Sequence, residues 1–357
     1  MIIVVEIGIF AITAAVGGAQ CLAAVRPGTI STEGAIGIMF AISFVIAFFG
    51  YSAVHIIAKY IWIPNTACLI VLAVSAAPHL NQAHAHTKPG PSPFLGTVAV
   101  CASSMITWAT IIGDYVCYMP PNTPRLKLAC SCFAGLYIPF TLMSIFGAAI
   151  GGVVSANPSW EAAYSQGSLG GVLGEILTAR VGNFGRFCLV ILGLSMVITS
   201  ARDMYSISLF AVAILPPLHR VPRMIILVCV AGAMIGIAIA ASRSFLPSLS
   251  ALVSIAGYLT GPIVCVFLLE WFIFRKANPA TIDPLIWNNA AALPTGLPAI
   301  FAAVLPWAII IPSMDSVWYL GPIARHSGDL SYELGTACSA LLYLPLRAAE
   351  IKYRGRL

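Results

Sequence analysis

Long apolar segments separated by short polar ones are the main feature of the sequence. Because about 20 apolar residues cross the hydrocarbon core of a bilayer as an α-helix, each long segment predicts a membrane span. Ten such segments lie at 2–25, 35–54, 61–78, 94–114, 128–154, 187–215, 224–242, 249–274, 297–313 and 331–346. Prolines and glycines in the connections, as in RPGTIST, MPPNTPRLK and LPPLHRVPR, are typical of turns. The pattern predicts an all-α polytopic membrane protein with about ten transmembrane helices.

The composition supports this class. The 357 residues are 60% hydrophobic and only 8% charged, whereas soluble domains contain about 25% charged residues. The net charge of +6 comes from short connections and the C-terminal tail, not from a basic stripe that would bind nucleic acid. Most of the ten cysteines lie in apolar segments, and no CxxC pair indicates a zinc or redox site. We therefore expect a lipid bilayer as partner, and no nucleic acid, metal or cofactor.

The basic residues also predict an orientation. If the C-terminal tail is cytoplasmic, eleven basic residues, among them Arg347 and Lys352, fall on the cytoplasmic side and six on the other. The positive-inside rule favours this arrangement, and ten spans then place both termini in the cytoplasm. The polar connection at 155–186 is predicted to be an external loop.

Polar residues inside the span at 187–215 are the first candidate site. Ser195, Thr199, Arg202 or Asp203, and Ser206 recur at helical spacing and form one polar stripe. Charges inside a membrane helix face a cavity or the interior of the bundle, so the stripe indicates a functional cavity. The alternative is interhelical hydrogen bonding that only fixes the packing. Because adjacent residues point about 100° apart on a helix, we expect Arg202 and Asp203 to pair poorly with each other.

The second candidate site is the segment 103–124, where Trp108 precedes Asp114, Tyr115 and a double proline. An aromatic ring beside a broken helix is suited to stacking a flat ligand. The alternatives are that Trp108 is a core or interfacial anchor and that Asp114 caps a helix end.

The other ionisable residues are weaker candidates for a functional site. His79, His84 and His86 share a polar loop that predicts either a metal site or, in our interpretation, a solvated connection. Glu6 and Glu270 lie near the inner ends of their spans, where we expect them to reach the interface. No set of nucleophiles or metal ligands converges in the spans, so we do not expect an enzyme.

Several segments resemble the fungal purine–cytosine permeases of the nucleobase–cation symporter family. They are GYSAVHIIAKYIWIPN, TWATIIGDYVCYMPPNTP, MYSISLFAVAILPPLHRVPR and WYLGPIARHSGDLSYELGTACSALLYLPLRAAEIK. The resemblance implies the LeuT-type fold of two inverted five-helix repeats. Residues 1–78 then supply the last three helices of the first repeat, 94–274 the second repeat, and 275–357 two peripheral helices and the tail. It also implies an incomplete fold, because the chain begins within the third family helix.

The resemblance implies a set of site residues. Phe10 and Trp108 would sandwich the base, and Thr199, Ser200 and Asp203 would hydrogen-bond its edge. Thr13, Asp114 and Arg202 would contribute to binding or gating, and Ser195 with Thr199 to a cation site. Where the family pattern resembles Asn-Asn-x-Pro-Asn, this sequence has Thr199 to Asp203, so Arg202 replaces a proline. If Arg202 faces the cavity, an anionic, urate-like substrate is also expected.

The implied function is a symporter that imports purine bases, cytosine or both with a proton or a sodium ion. The implied location is the plasma membrane, and a homo-oligomer is left open. The alternative is a truncated, non-transporting relative or an incomplete gene product of the same family.

Overall fold

The structure is a computed structural model that describes residues 2–82, 91–117, 119–120, 122–243, 245–286, 289, 292–316 and 319–355. Over these residues it is almost entirely α-helical. The helices of the described part are α1 (Ile2–Val25), α2 (Thr32–Phe49), α3 (Tyr51–Ala76), α4 (Pro91–Ile106), α5 (Trp108–Ile111), α6 (Gly113–Val116), α7 (Arg125–Val154), α8 (Pro158–Val181), α9 (Asn183–Ile214), α10 (Arg223–Ser242), α11 (Phe245–Leu269), α12 (Leu297–Val304), α13 (Trp307–Ser313), α14 (Ala324–Ser327) and α15 (Ser331–Arg354).

Short elements connect these helices. Single 3₁₀ turns lie at Ala77–Gln82, Pro216–Arg220, Pro279–Thr281 and Pro284–Ile286, and α11 continues into a π-helical segment at Glu270–Phe274. Two short strands, β1 (Asp315–Ser316) and β2 (Tyr319–Leu320), pair antiparallel, with Asp315 opposite Leu320 and Ser316 opposite Tyr319. The predicted all-α class is confirmed.

Within the described residues, eight helical segments are long and apolar enough to cross a membrane. They correspond to the first eight predicted spans. The ninth predicted span corresponds to the shorter apolar segment Leu297–Ser313, in which α12 and α13 are separated by a turn at Leu305 and Pro306. The tenth lies in α15, which carries Glu333, Arg347 and Glu350 and is less apolar for that reason.

The boundary between the second and third helices differs from the prediction. The predicted second span runs to residue 54, but α2 ends at Phe49 and α3 begins at Tyr51. Gly50 alone separates them, with φ at +78°. Glycine adopts this backbone conformation without a steric penalty, so the chain changes direction at one residue inside an apolar segment. The hydropathy pattern carries no signal for such a break.

The prediction of a loop at 155–186 was also wrong, because this connection contains α8. Asn157 caps this helix, its Oδ1 accepting from Ser159 N at 3.1 Å and Trp160 N at 3.4 Å. Pro158 occupies the first helical position, where its missing N–H has no cost. A kink at Ser168, with φ at +51°, divides the helix. Its apolar side buries Trp160, Ile176 and Leu177 against residues of α3, α7 and α9.

The helices form two compact units. The first unit comprises Met1–Lys88 and Asp114–Leu249, and the second comprises Pro89–Gly113 and Ser250–Leu357. The predicted division at 1–78, 94–274 and 275–357 follows the family repeats and stays a prediction.

In the first unit α1 is the central helix, in contact with α2, α8, α9 and α10. Its longest contact is with α9, and glycines allow the two helices to approach closely. A Cβ added to Gly18 would lie 2.9 Å from the carbonyl oxygen of Gly193, and one added to Gly193 would lie 3.0 Å from that of Gly18. Small residues at a crossing are a common means of close helix packing in membranes. The enclosure of α1 also explains why Glu6 is fully buried, so the expectation that it reaches the interface was wrong.

We expect Gly18→Ala to lower the free energy of unfolding by about 1–3 kcal/mol, the usual cost of an overpacked core. The added methyl group would meet the Gly193 carbonyl, so α1 and α9 would have to separate. Gly232→Ala on α10 is the control, since a Cβ there has no atom within 4 Å and should be neutral or stabilise by up to about 1 kcal/mol. Denaturation of both purified variants in mixed micelles measures the difference. Equal stabilities would show that the crossing is looser than described.

In the second unit α11 packs against α4 and α15. A Cβ added to Gly257 would lie 2.6 Å from Ser103 Cβ, and one added to Gly261 would lie 2.5 Å from Thr336 Oγ1. Tyr258 is fully buried and its hydroxyl donates to Asp329 Oδ2. These contacts fix α11 against the beginning of α15.

An ionic cluster joins the π-helical segment to the C-terminal half of α15. Glu270 accepts from Arg347 Nε and Nη2, each at 3.0 Å, from Arg275 Nε at 3.0 Å and from the Tyr343 hydroxyl at 2.9 Å. Arg347 also donates to Glu350 Oε2 at 2.7 Å. Glu270 is therefore held by protein groups, and Arg347, counted above as a cytoplasmic charge, is only 2% exposed.

Candidate functional site

Arg202 and Asp203, adjacent on α9, form an ion pair. Arg202 Nε and Nη2 donate to Asp203 Oδ1 at 2.8 and 2.7 Å. The expectation that these neighbours would pair poorly was wrong, because the long arginine side chain bends back to the helix and its planar fork presents two N–H groups to one oxygen. The Asp203 side chain is 1% exposed and that of Arg202 is 17% exposed. The two opposite charges cancel, so the pair adds no net charge to the first unit.

The second oxygen of this carboxylate is the main feature of the site. Asp203 Oδ2 is buried and accepts no hydrogen bond from any residue that the structure describes. The hydroxyl of Ser206 is likewise buried without a partner within the described ranges. Residues three apart share one side of a helix, so the two groups are neighbours on α9. A buried polar group that lacks a partner costs about 1–3 kcal/mol, which a bound polar ligand or a proton would offset.

Ser200 fixes α9 against α1 at this level. Its hydroxyl donates to the carbonyl oxygen of Ala11 at 3.0 Å, and the hydroxyl of Ser43 on α2 donates to Val197 O at 3.2 Å. These are the interhelical hydrogen bonds that the packing alternative predicted. The proton of Ser200 is thus used within the protein, and its oxygen remains as an acceptor.

The α1 candidates lie near this contact. Phe10 precedes Ala11 directly, and Thr13 donates from Oγ1 to Phe10 O at 3.0 Å. Both side chains are half-buried. Because Ser200 lies one turn before Asp203, its bond to Ala11 brings the Phe10 turn of α1 to the level of the ion pair. The structure thus places Phe10 and Thr13 on the helix that adjoins the carboxylate.

The remaining α9 candidates are more exposed. Ser195 and Thr199 are half-buried, and Ser195 Oγ donates to Leu192 O at 2.7 Å. Within the predicted stripe, Asp203 and Ser206 are buried, whereas Ser195, Thr199 and Arg202 are half-buried. Whether Ser195 and Thr199 hold a cation stays a prediction.

Trp108 is the first residue of α5 and belongs to the second unit. It follows Thr107, whose Oγ1 donates to Ser103 O at 2.7 Å where α4 ends. The side chain of Trp108 is half-buried. The predicted sandwich of a base between Trp108 and Phe10 stays a prediction. The side chains of Asp114 and Tyr115 lie outside what the structure describes, as do His84 and His86.

Arg223, one of the eleven basic residues predicted on the cytoplasmic side, is half-buried and joins α10 to α9 and α2. Its guanidinium lies 4.7 Å from the centre of the Tyr205 ring, and it donates to Ser208 Oγ at 3.2 Å and to Ala47 O at 3.0 Å. Since Ala47 is in the last turn of α2, Arg223 satisfies a carbonyl at that helix end while it binds α9. The signal available in the sequence was a basic residue directly after Pro222, and it does not reveal these partners.

The carboxylates of the described residues do not gather with histidine or cysteine into groups of three that could hold a metal ion. The arrangement on α9 is instead suited to hydrogen bonding, because a buried carboxylate oxygen without a donor in the described ranges lies one turn from the buried hydroxyl of Ser206.

Comparison with a solved structure identifies the fold. The chain is similar to MHP1, a nucleobase-cation-symport-1 family transporter, in a closed conformation with bromovinylhydantoin bound. The TM-score is 0.57 at 13% sequence identity, over 98% of this chain and 74% of that chain. The predicted transporter fold is confirmed, and the chain is an integral, multi-pass membrane protein.

Two curated relatives are closer in sequence. The purine-cytosine permease FCY2 of Saccharomyces cerevisiae is 30% identical over 321 residues, which cover 87% of this chain and 60% of the relative. The purine-cytosine permease fcyB of Emericella nidulans is 30% identical over 349 residues, covering 96% of this chain and 68% of the relative. The chain thus spans between 60% and 68% of the length of these proteins.

A family model for permeases matches residues 1–335, which is nearly the whole chain, and these proteins are permeases rather than enzymes. The resemblance expected from the sequence motifs is confirmed by this match and by both relatives. The chain belongs to the family described as permeases for cytosine/purines, uracil, thiamine and allantoin.

Proposed function

We propose that this chain takes part in the secondary active import of purine bases, cytosine or both, together with a proton or a sodium ion. The observation that carries the proposal is the buried carboxylate of Asp203, with Oδ1 ion-paired to Arg202 and Oδ2 without a donor in the described part of the chain. Family membership supports a permease, and this group supplies the recognition chemistry.

The edge of a nucleobase suits such a group. Cytosine and adenine present exocyclic N–H donors, and a carboxylate is a suitable acceptor for them. In the proposed pose a base N–H donates to Asp203 Oδ2, while the hydroxyl groups of Ser206 and Thr199 meet the adjacent polar atoms. Stacking of the ring by Phe10 and Trp108 stays a prediction of the family resemblance. Ser200 would add its oxygen as an acceptor.

The ion pair favours a neutral cargo. Because the charge of Arg202 is matched by Asp203 at 2.7 Å, no net positive charge remains to select an anion. This supports a neutral purine or cytosine over the urate-like substrate that an unpaired arginine would favour. The coupling ion remains a choice between a proton, for which Asp203 Oδ2 is a carrier, and sodium, for which the hydroxyl oxygens of Ser195 and Thr199 are candidate ligands. We place the protein in the plasma membrane with both termini in the cytoplasm, and a homo-oligomer stays open.

The test is uptake of tritiated cytosine, adenine, hypoxanthine and urate by cells that lack their own nucleobase permeases. We expect saturable uptake of one or more neutral bases, and Asp203→Ala to lower its initial rate at least about tenfold, the loss of one charged hydrogen bond. Asp315→Ala, at an exposed carboxylate in β1, is the control and should transport normally. Equal amounts of protein in the membrane must be confirmed for each variant. If Asp203→Ala takes up bases at the control rate, the assignment of Asp203 is wrong.

A further inference from the structure

A cavity of about 620 Å³ lies in the first unit, away from Asp203. It is bounded by the last turns of α1, by the turn between α1 and α2, and by α8. The turn residues Pro27 and Gly28 are exposed, so the cavity adjoins the polar end of α1. Its volume falls within the range of about 300–1,000 Å³ that is typical of small-molecule sites.

The walls of this cavity are fixed by a close helix contact. A Cβ added to Gly170 of α8 would lie 2.1 Å from the carbonyl oxygen of Gln20 on α1. The backbone of α8 therefore rests directly on α1, just beyond the kink at Ser168. Gly167, Gly171 and Gly174 also line the cavity, and a Cβ added to Gly167 would meet no atom within 4 Å.

Polar groups in the lining lack partners of their own. Gln20 is 5% exposed, and its Oε1 is buried without a hydrogen-bond donor among the described residues. Glu175 is half-buried, and within the same ranges it has neither an ion pair nor a hydrogen bond. Both are acceptors. A donor lines the cavity as well, since Arg186 uses one N–H on Asn183 Oδ1, at 3.1 Å, and retains others.

We infer that this cavity is a second binding site for a neutral planar ring with alternating N–H and C=O groups, which is the class of the nucleobases. Ring N–H groups would donate to Glu175 and Gln20, and ring carbonyls would accept from Arg186. One carboxylate and one guanidinium in the lining cancel in charge, which selects a neutral molecule over an ion. The choice of ligand rests on the proposed function, because the proposed cargo is a nucleobase with these N–H and C=O groups. It would bind in this cavity as well as at the separate site of Asp203.

The test is equilibrium binding of tritiated hypoxanthine and cytosine to the purified full chain in lipid nanodiscs. We expect two binding components for one or both bases. Glu175→Leu should weaken one component at least about tenfold, because a charged acceptor is lost, and should leave the other in place. Glu161→Leu is the matched control, on the same helix but exposed and outside the cavity. Gln20→Leu, which keeps the side-chain size and removes the buried acceptor, should weaken the same component.

The outcomes separate this inference from the proposed function. If Asp203→Ala changes neither component while Glu175→Leu removes one, the cavity site stands and the assignment of Asp203 fails. If Glu175→Leu and Gln20→Leu both bind like Glu161→Leu, the second site is excluded. Absence of a second component in the unmodified chain, or its displacement by glycine betaine as readily as by unlabelled hypoxanthine, would also overturn the inference.

Discussion

Arg347→Ala is expected to lower the free energy of unfolding by about 3–5 kcal/mol, the usual effect of removing one partner of a buried ion pair. Arg347 is the centre of the cluster that joins the π-helical segment to α15, with three N–H groups bound to Glu270 and Glu350 at 2.7–3.0 Å. Its loss would remove the main donor of two half-buried carboxylates, leaving Glu270 with Arg275 and Tyr343 and Glu350 with Arg354 at 3.9 Å.

The other contacts of the cluster extend the effect beyond one helix. Glu350 Oε1 also accepts from Thr295 N at 2.7 Å and from Thr295 Oγ1 at 2.6 Å. The cluster therefore holds the segment before α12 as well as α15. Lys352→Ala is the control, since Lys352 is exposed on the same helix. Denaturant titration of both purified variants in mixed micelles makes the comparison. If Arg347→Ala is as stable as Lys352→Ala, the cluster contributes no net stability.

Arg202→Ala should also lower the free energy of unfolding by about 3–5 kcal/mol, because it leaves the buried Asp203 carboxylate without its ion pair. Both oxygens of Asp203 would then lack a donor within the residues described. Asp203→Ala removes the same ion pair by deleting the carboxylate. The double variant removes both charges, so we expect it to be more stable than the sum of the single changes predicts, by at least about 1 kcal/mol.

This cycle also separates stability from recognition. Asp203→Ala and the double variant should both fail to transport bases, whatever their stability, because both lack the acceptor. Arg180→Ala, at an exposed arginine of α8, is the control for loss of a positive charge. Stabilities that add without any coupling would contradict the ion pair, and uptake by the double variant at the normal rate would contradict the role of Asp203.

Much of the fold could be predicted from local pattern. The apolar segment 2–25 is bounded by a proline and glycine, and α1 occupies Ile2–Val25. The predictions at Gly50 and at α8 were wrong because the hydropathy pattern lacks the deciding signal at both places. A single glycine can turn the chain inside an apolar segment, and α8 is too polar and too rich in glycine to be distinguished from a loop by hydropathy. Packing against α1, α3, α7 and α9 stabilises α8, and no local pattern contains that information.

The candidate site divides in the same way. The burial of Asp203 was expected from a charge in an apolar helix, and its side chain is 1% exposed. Its ion pair with Arg202 depends on a side-chain conformation that the spacing of two neighbours does not specify. The bond from Ser200 to Ala11 connects residues 189 positions apart. Such a contact follows from the crossing of α1 and α9, which the sequence of neither helix determines.

The sequence by itself determined that this protein is a helical membrane protein, where most of its spans lie, and which permease family it belongs to. The length of an apolar segment and a family motif are properties of one continuous stretch of sequence, so they can be recognised without knowing which other helices pack against it. The tertiary structure alone decided which charges are neutralised and which acceptor remains. Arg347 meets Glu270 across 77 positions, and Asp203 retains an oxygen without a donor, because helix packing determines which groups come within hydrogen-bonding distance.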